Sequence, residues 1–182
     1  MTDASGKMAA PGNGRLIVIV PVGKAPAEVL SHVRSTAATT FNRLGKVGDS
    51  LSVPRAAFST ERGQISASAI ARRLPLDGAE RVLGVIDHDL YVPELNFVFG
   101  IAQGARALIA LPRLRESFYG RRDDPSGFLA RVAKEAVHEL GHTYGLGHCR
   151  DRRCVMAFSN SLGDTDAKTQ EFCRACRARL PE

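Results

Sequence analysis

The run HELGHTYGLGH, residues 138–148, holds three of the chain's five histidines. His138 and His142 are one helical turn apart, so a helix presents both on one face, where they can hold one ion together. Neutral imidazole nitrogens suit zinc. Gly145 lets the backbone leave the helix in a left-handed turn, and His148 follows three residues later. Three neutral ligands leave the fourth tetrahedral position open, the mark of a catalytic rather than a structural zinc. Glu139 is turned about 100° around the helix from His138, beside such a metal rather than on it. There it can take a proton from a zinc-bound water and return it to a leaving amine. The run therefore demands a helix that ends near Gly145 and a reversal that brings His148 back to it. Histidine pairs at this spacing also arise by chance. The added Glu, Gly and third His point to a metal centre.

The preceding residues, DDPSGFLARVAKEAVHELGHTYG, supply that helix. Asp124 can cap it and Pro125 suits its first turn. Phe128, Val132, Ala136 and Leu140 form an apolar stripe, which Leu129, Ala133 and Val137 widen. Upstream, Arg15–Gly23 reads as a buried strand closed by Pro and Gly. Pro26 opens a helix in which Val29, Val33, Ala37, Phe41 and Leu44 recur at helical spacing, with Gly45 as its stop. SLSVPRAAF reads as extended, with Pro54 at an edge or loop. GQISASAIARRL reads as a second helix with Ile65, Ala69 and Ile70 inward. Arg81–Ile86 reads as a strand, and NFVFGIAQGARALIALPRL as two strands around a glycine-rich link. The tail is rich in turns, with helical signal only from about Asp166. The pattern implies a mixed α/β layer sandwich.

All four cysteines, Cys149, Cys154, Cys173 and Cys176, follow His148. Their spacing suits a closed four-thiolate zinc site, which would be structural and would fold a tail poor in apolar residues. Two disulfides, or a redox pair at Cys173 and Cys176, are the alternatives. A reducing cytosol favours the metal. Composition agrees with one globular domain: 182 residues, 44% hydrophobic and 24% charged. There is no apolar run long enough for a membrane span. The start, MTDASGKMAAPGNGR, lacks the apolar core of a secretory signal, so the expected location is cytoplasmic. The net charge is +6. The arginines are dispersed, which argues for a solvated surface over a nucleic-acid groove.

Met156 follows Cys154 by two residues, and a methionine turn after HExxHxxGxxH is the metzincin signature. The combined run, from His138 through Cys149, Cys154 and Met156 to Cys173 and Cys176, resembles the archaemetzincins, a metzincin family. VLGVIDHDLYVPELNFVFGIA also looks like that family's strand region. The spacer between Met156 and Cys173 is about one residue shorter than the family's usual form, a difference a surface loop absorbs. The resemblance implies a zinc-dependent metallopeptidase acting on peptides or proteins. His138, His142 and His148 would hold the catalytic zinc, Glu139 would be the general base and acid, and Met156 would lie beneath the metal. Cys149, Cys154, Cys173 and Cys176 would hold a second, structural zinc. The implied fold is α/β (α+β): a twisted, mostly parallel sheet with one antiparallel edge strand, within Ile101–Leu111, along which substrate would lie extended. The expected organisation is a tail at 1–14 and a single catalytic domain at 15–182. That domain divides into an N-terminal subdomain, 15–145, and a small zinc-stabilised C-terminal subdomain, 146–182. The rival readings are a catalytically silent zinc-folded peptide- or protein-binding module, and a nucleic-acid binder. Asp87, His88 and Asp89 read as a polar strand end rather than a metal trio. His32 reads as the polar side of the first helix, Phe97 and Phe99 as packing residues, and Tyr144 is assigned no role.

Overall fold

The computed structural model of the chain describes residues 15–181. The tail expected at 1–14 lies outside them. The first strand, β1 (Leu16–Val22), is followed by α1 (Ala27–Phe41) and β2 (Leu44–Val47). Next come β3 (Phe58–Ser59), β4 (Gln64–Ser66) and the short helix α2 (Ala67–Ala71). The chain continues through β5 (Arg81–Ile86), β6 (Leu90–Tyr91), β7 (Gly100–Gln103) and β8 (Arg106–Ala110). It ends with the helices α3 (Pro125–Thr143), α4 (Leu162–Ala167) and α5 (Arg174–Arg177).

Five strands form the main sheet in the order β2-β1-β5-β8-β7, and β3-β4-β6 form a small second sheet. β1 runs parallel to β2 and β5, β5 parallel to β8, and only β7 is antiparallel to its neighbour β8. Because side chains alternate along a strand, the central strands feed two cores. Ile17, Ile19, Leu83, Val85, Ala107 and Ile109 pack with α1 and α3 on one face. Val20, Val22, Val82, Ile86, Leu108 and Ala110 pack with α2 on the other. The sandwich, the mostly parallel sheet and its single antiparallel edge match expectation. The edge strand is Gly100–Gln103, one residue earlier than the expected window, and Arg106–Ala110 is the inner strand.

Three boundaries differ from expectation. α1 stops at Phe41, because Asn42 takes the left-handed conformation, φ 52°. Gly45 instead lies in β2, where an added Cβ would meet the Arg34 carbonyl at 2.9 Å. It lets the edge strand close onto α1. The region expected to form the second helix begins as a strand, with Ile65 paired to Phe58 and Leu90, and only Ala67–Ala71 is helical. In the tail, α4 starts at Leu162, earlier than Asp166. Ser161 caps it by accepting from the Asp164 amide at 3.2 Å.

The helix that carries His138 and His142 forms as expected, as α3. The Asp124 carboxylate accepts from the Gly127 amide at 2.9 Å, and Gly145 exits with φ 82°. Beyond Gly145 the chain packs back on the same core: Leu146, Val155, Met156, Phe172 and Cys176 join the cluster around α1 and α3. Phe41 stacks on Tyr144 at 5.1 Å and meets Phe172 edge-on at 5.7 Å.

Candidate active site

α3 presents His138 and His142 on consecutive turns, and the reversal at Gly145 returns His148 to them. One ring nitrogen from each of the three lies within 4.8 Å of the others. The outer contacts fix the tautomers. Nδ1 of His138 meets the Val155 carbonyl at 2.8 Å, and Nδ1 of His142 meets the Leu146 carbonyl at 2.8 Å. A carbonyl only accepts, so both Nδ1 atoms carry the proton. Both Nε2 atoms are then lone-pair acceptors, and they face each other at 3.0 Å. Two acceptors have nothing to share at that distance except a cation, so these residues fit a metal. Burial, with Lys168 a smaller cause, holds His138 well below the usual imidazole range. Burial likewise lowers His148. Both stay neutral and able to ligate. Met156 is wholly buried beneath α3. A Cβ on Gly141 would lie 2.5 Å from its sulfur.

Glu139 is buried beside this group. Burial, reinforced by nearby Glu135, raises its carboxyl well above the usual carboxylate range, and Lys168 opposes the rise. It faces a cleft of about 470 Å³ whose lining includes the three histidines and Gly100, Ile101 and Ala102 of β7. β7 ends the sheet, so among the described residues its outer backbone edge has no partner strand.

Two features of the site escaped sequence reasoning. A Cβ on Gly100 would meet Glu139 Cγ at 2.6 Å and the Leu108 carbonyl at 2.7 Å. Only glycine lets the edge strand lie against the glutamate, and a glycine within a strand pattern is the signal for such an approach. Gly100→Ala is expected to cut kcat/KM about 10²-fold through misplacement of Glu139, with the metal content per chain unchanged. Steady-state kinetics beside metal analysis check this. The second feature is a buried ion pair. Lys168 Nζ, wholly buried, lies 3.0 Å from Oε1 of Glu135, which is itself 3% exposed. Thr165 donates to the same oxygen at 3.3 Å, and Lys168 donates to the Ala157 carbonyl at 3.5 Å. A glutamate one turn before Glu139, on the buried stripe, was the available signal. Lys168→Met alone is expected to cost about 3–5 kcal/mol by stranding a buried carboxylate. The double variant Glu135→Leu, Lys168→Met should recover most of that loss. Denaturant unfolding of both decides it.

The four cysteine sulfurs also lie within 4.8 Å of one another, and no disulfide joins them. Cys154 and Cys176 are buried, and Cys149 and Cys173 partly so. A hydrogen bond from the Cys176 amide lowers the Cys173 thiol to about 7. Burial raises Cys154 and Cys176. The Cys149 amide donates to the Met156 carbonyl at 2.8 Å, tying this cluster to the loop beneath the histidines.

The remaining candidates fall elsewhere. Arg115 grips Asp87 with two hydrogen bonds, at 2.6 and 2.9 Å, and Arg113 grips Asp89 at 2.7 and 2.8 Å. His88 stacks on Phe58 at 5.7 Å, so the three make no joint site. His32 does not point simply to solvent, for its Nε2 is buried without a hydrogen-bond partner among the described residues. Tyr144 packs between Phe41 and the Arg81 guanidinium, away from the cleft. Phe99 is buried in the core and Phe97 packs against it, as packing residues do, and both also line the cleft.

Comparison with known proteins agrees with the fold. The family model described as peptidase family M54 matches residues 76–182. The archaemetzincin of Methanocaldococcus jannaschii is 40% identical over 168 residues, covering 91% of this chain and 93% of the relative. Among solved structures, the archaemetzincin of Methanopyrus kandleri superposes with a TM-score of 0.83 at 37% identity, covering 95% of this chain and 97% of that one. The archaemetzincin of Archaeoglobus fulgidus, solved with malonate, gives 0.79 at 35% identity, covering 91% and 99%. Fold, family match and relatives converge: this chain belongs to peptidase family M54, the archaemetzincins, and is a zinc metallopeptidase.

Proposed function

We propose that the chain hydrolyses peptide bonds in the cleft between α3 and β7, with Glu139 as general base and acid. The observation that carries this reading is the convergence of three imidazole nitrogens beside a buried glutamate, against an unpaired edge strand. His138, His142 and His148 would hold the catalytic zinc. When bound, that zinc supplies Lewis acidity toward a water and toward the scissile carbonyl. The peptide lies extended along β7 and adds a strand through backbone hydrogen bonds. Gly100 sets that strand against Glu139, so the scissile bond is brought to the carboxylate. Glu139 takes a proton from the attacking water. Its raised proton affinity, which follows from burial, suits it to hold that proton and pass it to the leaving amine. Phe97, Ile101 and Phe158 give the cleft apolar walls for neighbouring substrate side chains.

Cys149, Cys154, Cys173 and Cys176 would hold a second, structural zinc. Four converging thiols, one of them already acidified, are the donor set such a site requires. No helix among the described residues is long and apolar enough to cross a membrane. A four-thiol site suits a reducing compartment, and the cytoplasm is the location we favour.

The test is a cleavage assay on a diverse peptide mixture, read by mass spectrometry, with zinc-loaded protein beside Glu139→Ala. Cuts present in the first and absent in the second establish the peptidase and its preferred residues. Two equally inert proteins that both hold their metals would replace this reading with a silent binding module.

A further inference from the structure

The sheet has a second cavity, at the carboxyl ends of β1 and β5. From β1 the chain passes through α1 to β2 on one side, whereas β5 has β8 on the other side. α1 covers one face of the sheet and α2 the opposite face. The chain direction thus switches between neighbouring parallel strands β1 and β5, and their carboxyl ends leave a crevice between the diverging connections. In open α/β sheets this is where small molecules bind. Here the crevice is a cavity of about 610 Å³, within the roughly 300–1,000 Å³ usual for ligand pockets. It shares no lining residue with the cleft of the histidines.

The lining states what chemistry fits. Val22 and Ile86, the last residues of the two strands, are buried within it. Phe58 also lines it, is 41% exposed, and lies nearly parallel to His88, at an interplanar angle of 19°. An exposed ring held flat in this way offers a stacking surface. Lys24 and Arg55 also line the cavity, and neither has a hydrogen bond or ion pair among the described residues. The one lining carboxylate, Asp87, is already neutralised by the two bonds from Arg115. The cavity therefore combines an apolar, aromatic wall with two free cations.

We propose that this cavity binds a planar aromatic molecule bearing an anionic group, with its ring against Phe58 and its anion between Lys24 and Arg55. Sulfonate, carboxylate and phosphate share the required chemistry.

The probe is anilinonaphthalene sulfonate, titrated by fluorescence into the folded, zinc-loaded protein. Saturable binding at one site per chain is expected. Lys24→Ala with Arg55→Ala should weaken it about tenfold or more. Thr60→Trp, which fills the cavity from its exposed side, should abolish it. All three positions are exposed, so melting curves should match the parent. Glu139→Gln should bind the probe as the parent does. Absence of saturable binding, or binding indifferent to both the alanine pair and Thr60→Trp, overturns the proposal. Loss in Thr60→Trp without any effect of the alanine pair overturns the anionic assignment. Titration of aromatic carboxylates and phosphates against bound probe then ranks the natural headgroups.

Discussion

Glu139→Gln is expected to lower kcat/KM by about 10²–10⁴-fold, while both metals stay bound. Glutamine has nearly the same shape, so it still fits against Gly100, where the side chain packs within ordinary contact of the edge strand. It cannot accept a proton, and that is the single property removed. The histidines are not its ligands to share: His138 and His142 are oriented by the Val155 and Leu146 carbonyls, not by Glu139. Metal analysis should therefore read the same for parent and variant, and the thermal transition should not fall, because the variant no longer buries an ionisable group. Turnover within a few-fold of the parent would move the proton transfer to another group. His138→Ala is the contrasting case: it should lose catalytic metal and activity together.

The parts of this molecule that were legible in its sequence are those fixed by local geometry. The helix carrying His138 and His142 announced itself through a capping Asp124, Pro125 at its first turn, an apolar stripe and a terminal Gly145. Each of these acts within a turn or two of chain. The same locality made β5 readable from end to end. What escaped depended on contacts between distant segments. Gly45 looks like a helix stop, but Asn42 can take the left-handed turn first, and the strand needs the glycine for its approach to Arg34. The role of Gly100 is set by Glu139, far along the chain. Only the sheet order brings the two together. The Glu135–Lys168 pair joins a helix to the tail, so neither charge declares its partner in the sequence. The crevice at the ends of β1 and β5 exists only once strand order is known.

Cys176→Ser is expected to release one metal equivalent and to unfold the chain beyond Gly145, rather than merely loosen it. Structural zinc contributes about 10–16 kcal/mol of apparent binding free energy in small zinc-folded peptides, comparable to the whole stability of a domain, about 5–15 kcal/mol. The tail's own helices are short, α4 with six residues and α5 with four, so its remaining hold is the packing of Leu146, Val155, Met156 and Phe172 and the Lys168–Glu135 pair. The consequence should reach the active site. Cys149 is the next residue after His148, and its amide bonds the Met156 carbonyl at 2.8 Å. The Val155 carbonyl, which orients His138, stands between Cys154 and Met156. Loss of the cysteine cluster therefore frees His148 and removes the carbonyl that orients His138. Activity and the remaining metal should fall together, although no catalytic atom has been changed. Amide exchange should report the tail exposed from Leu146 onward, with the β1, β5 and β8 core still protected. A variant that keeps its tail protected and its activity intact would show that side-chain packing of Phe172 and Val155 alone suffices, and the four cysteines would then need another role.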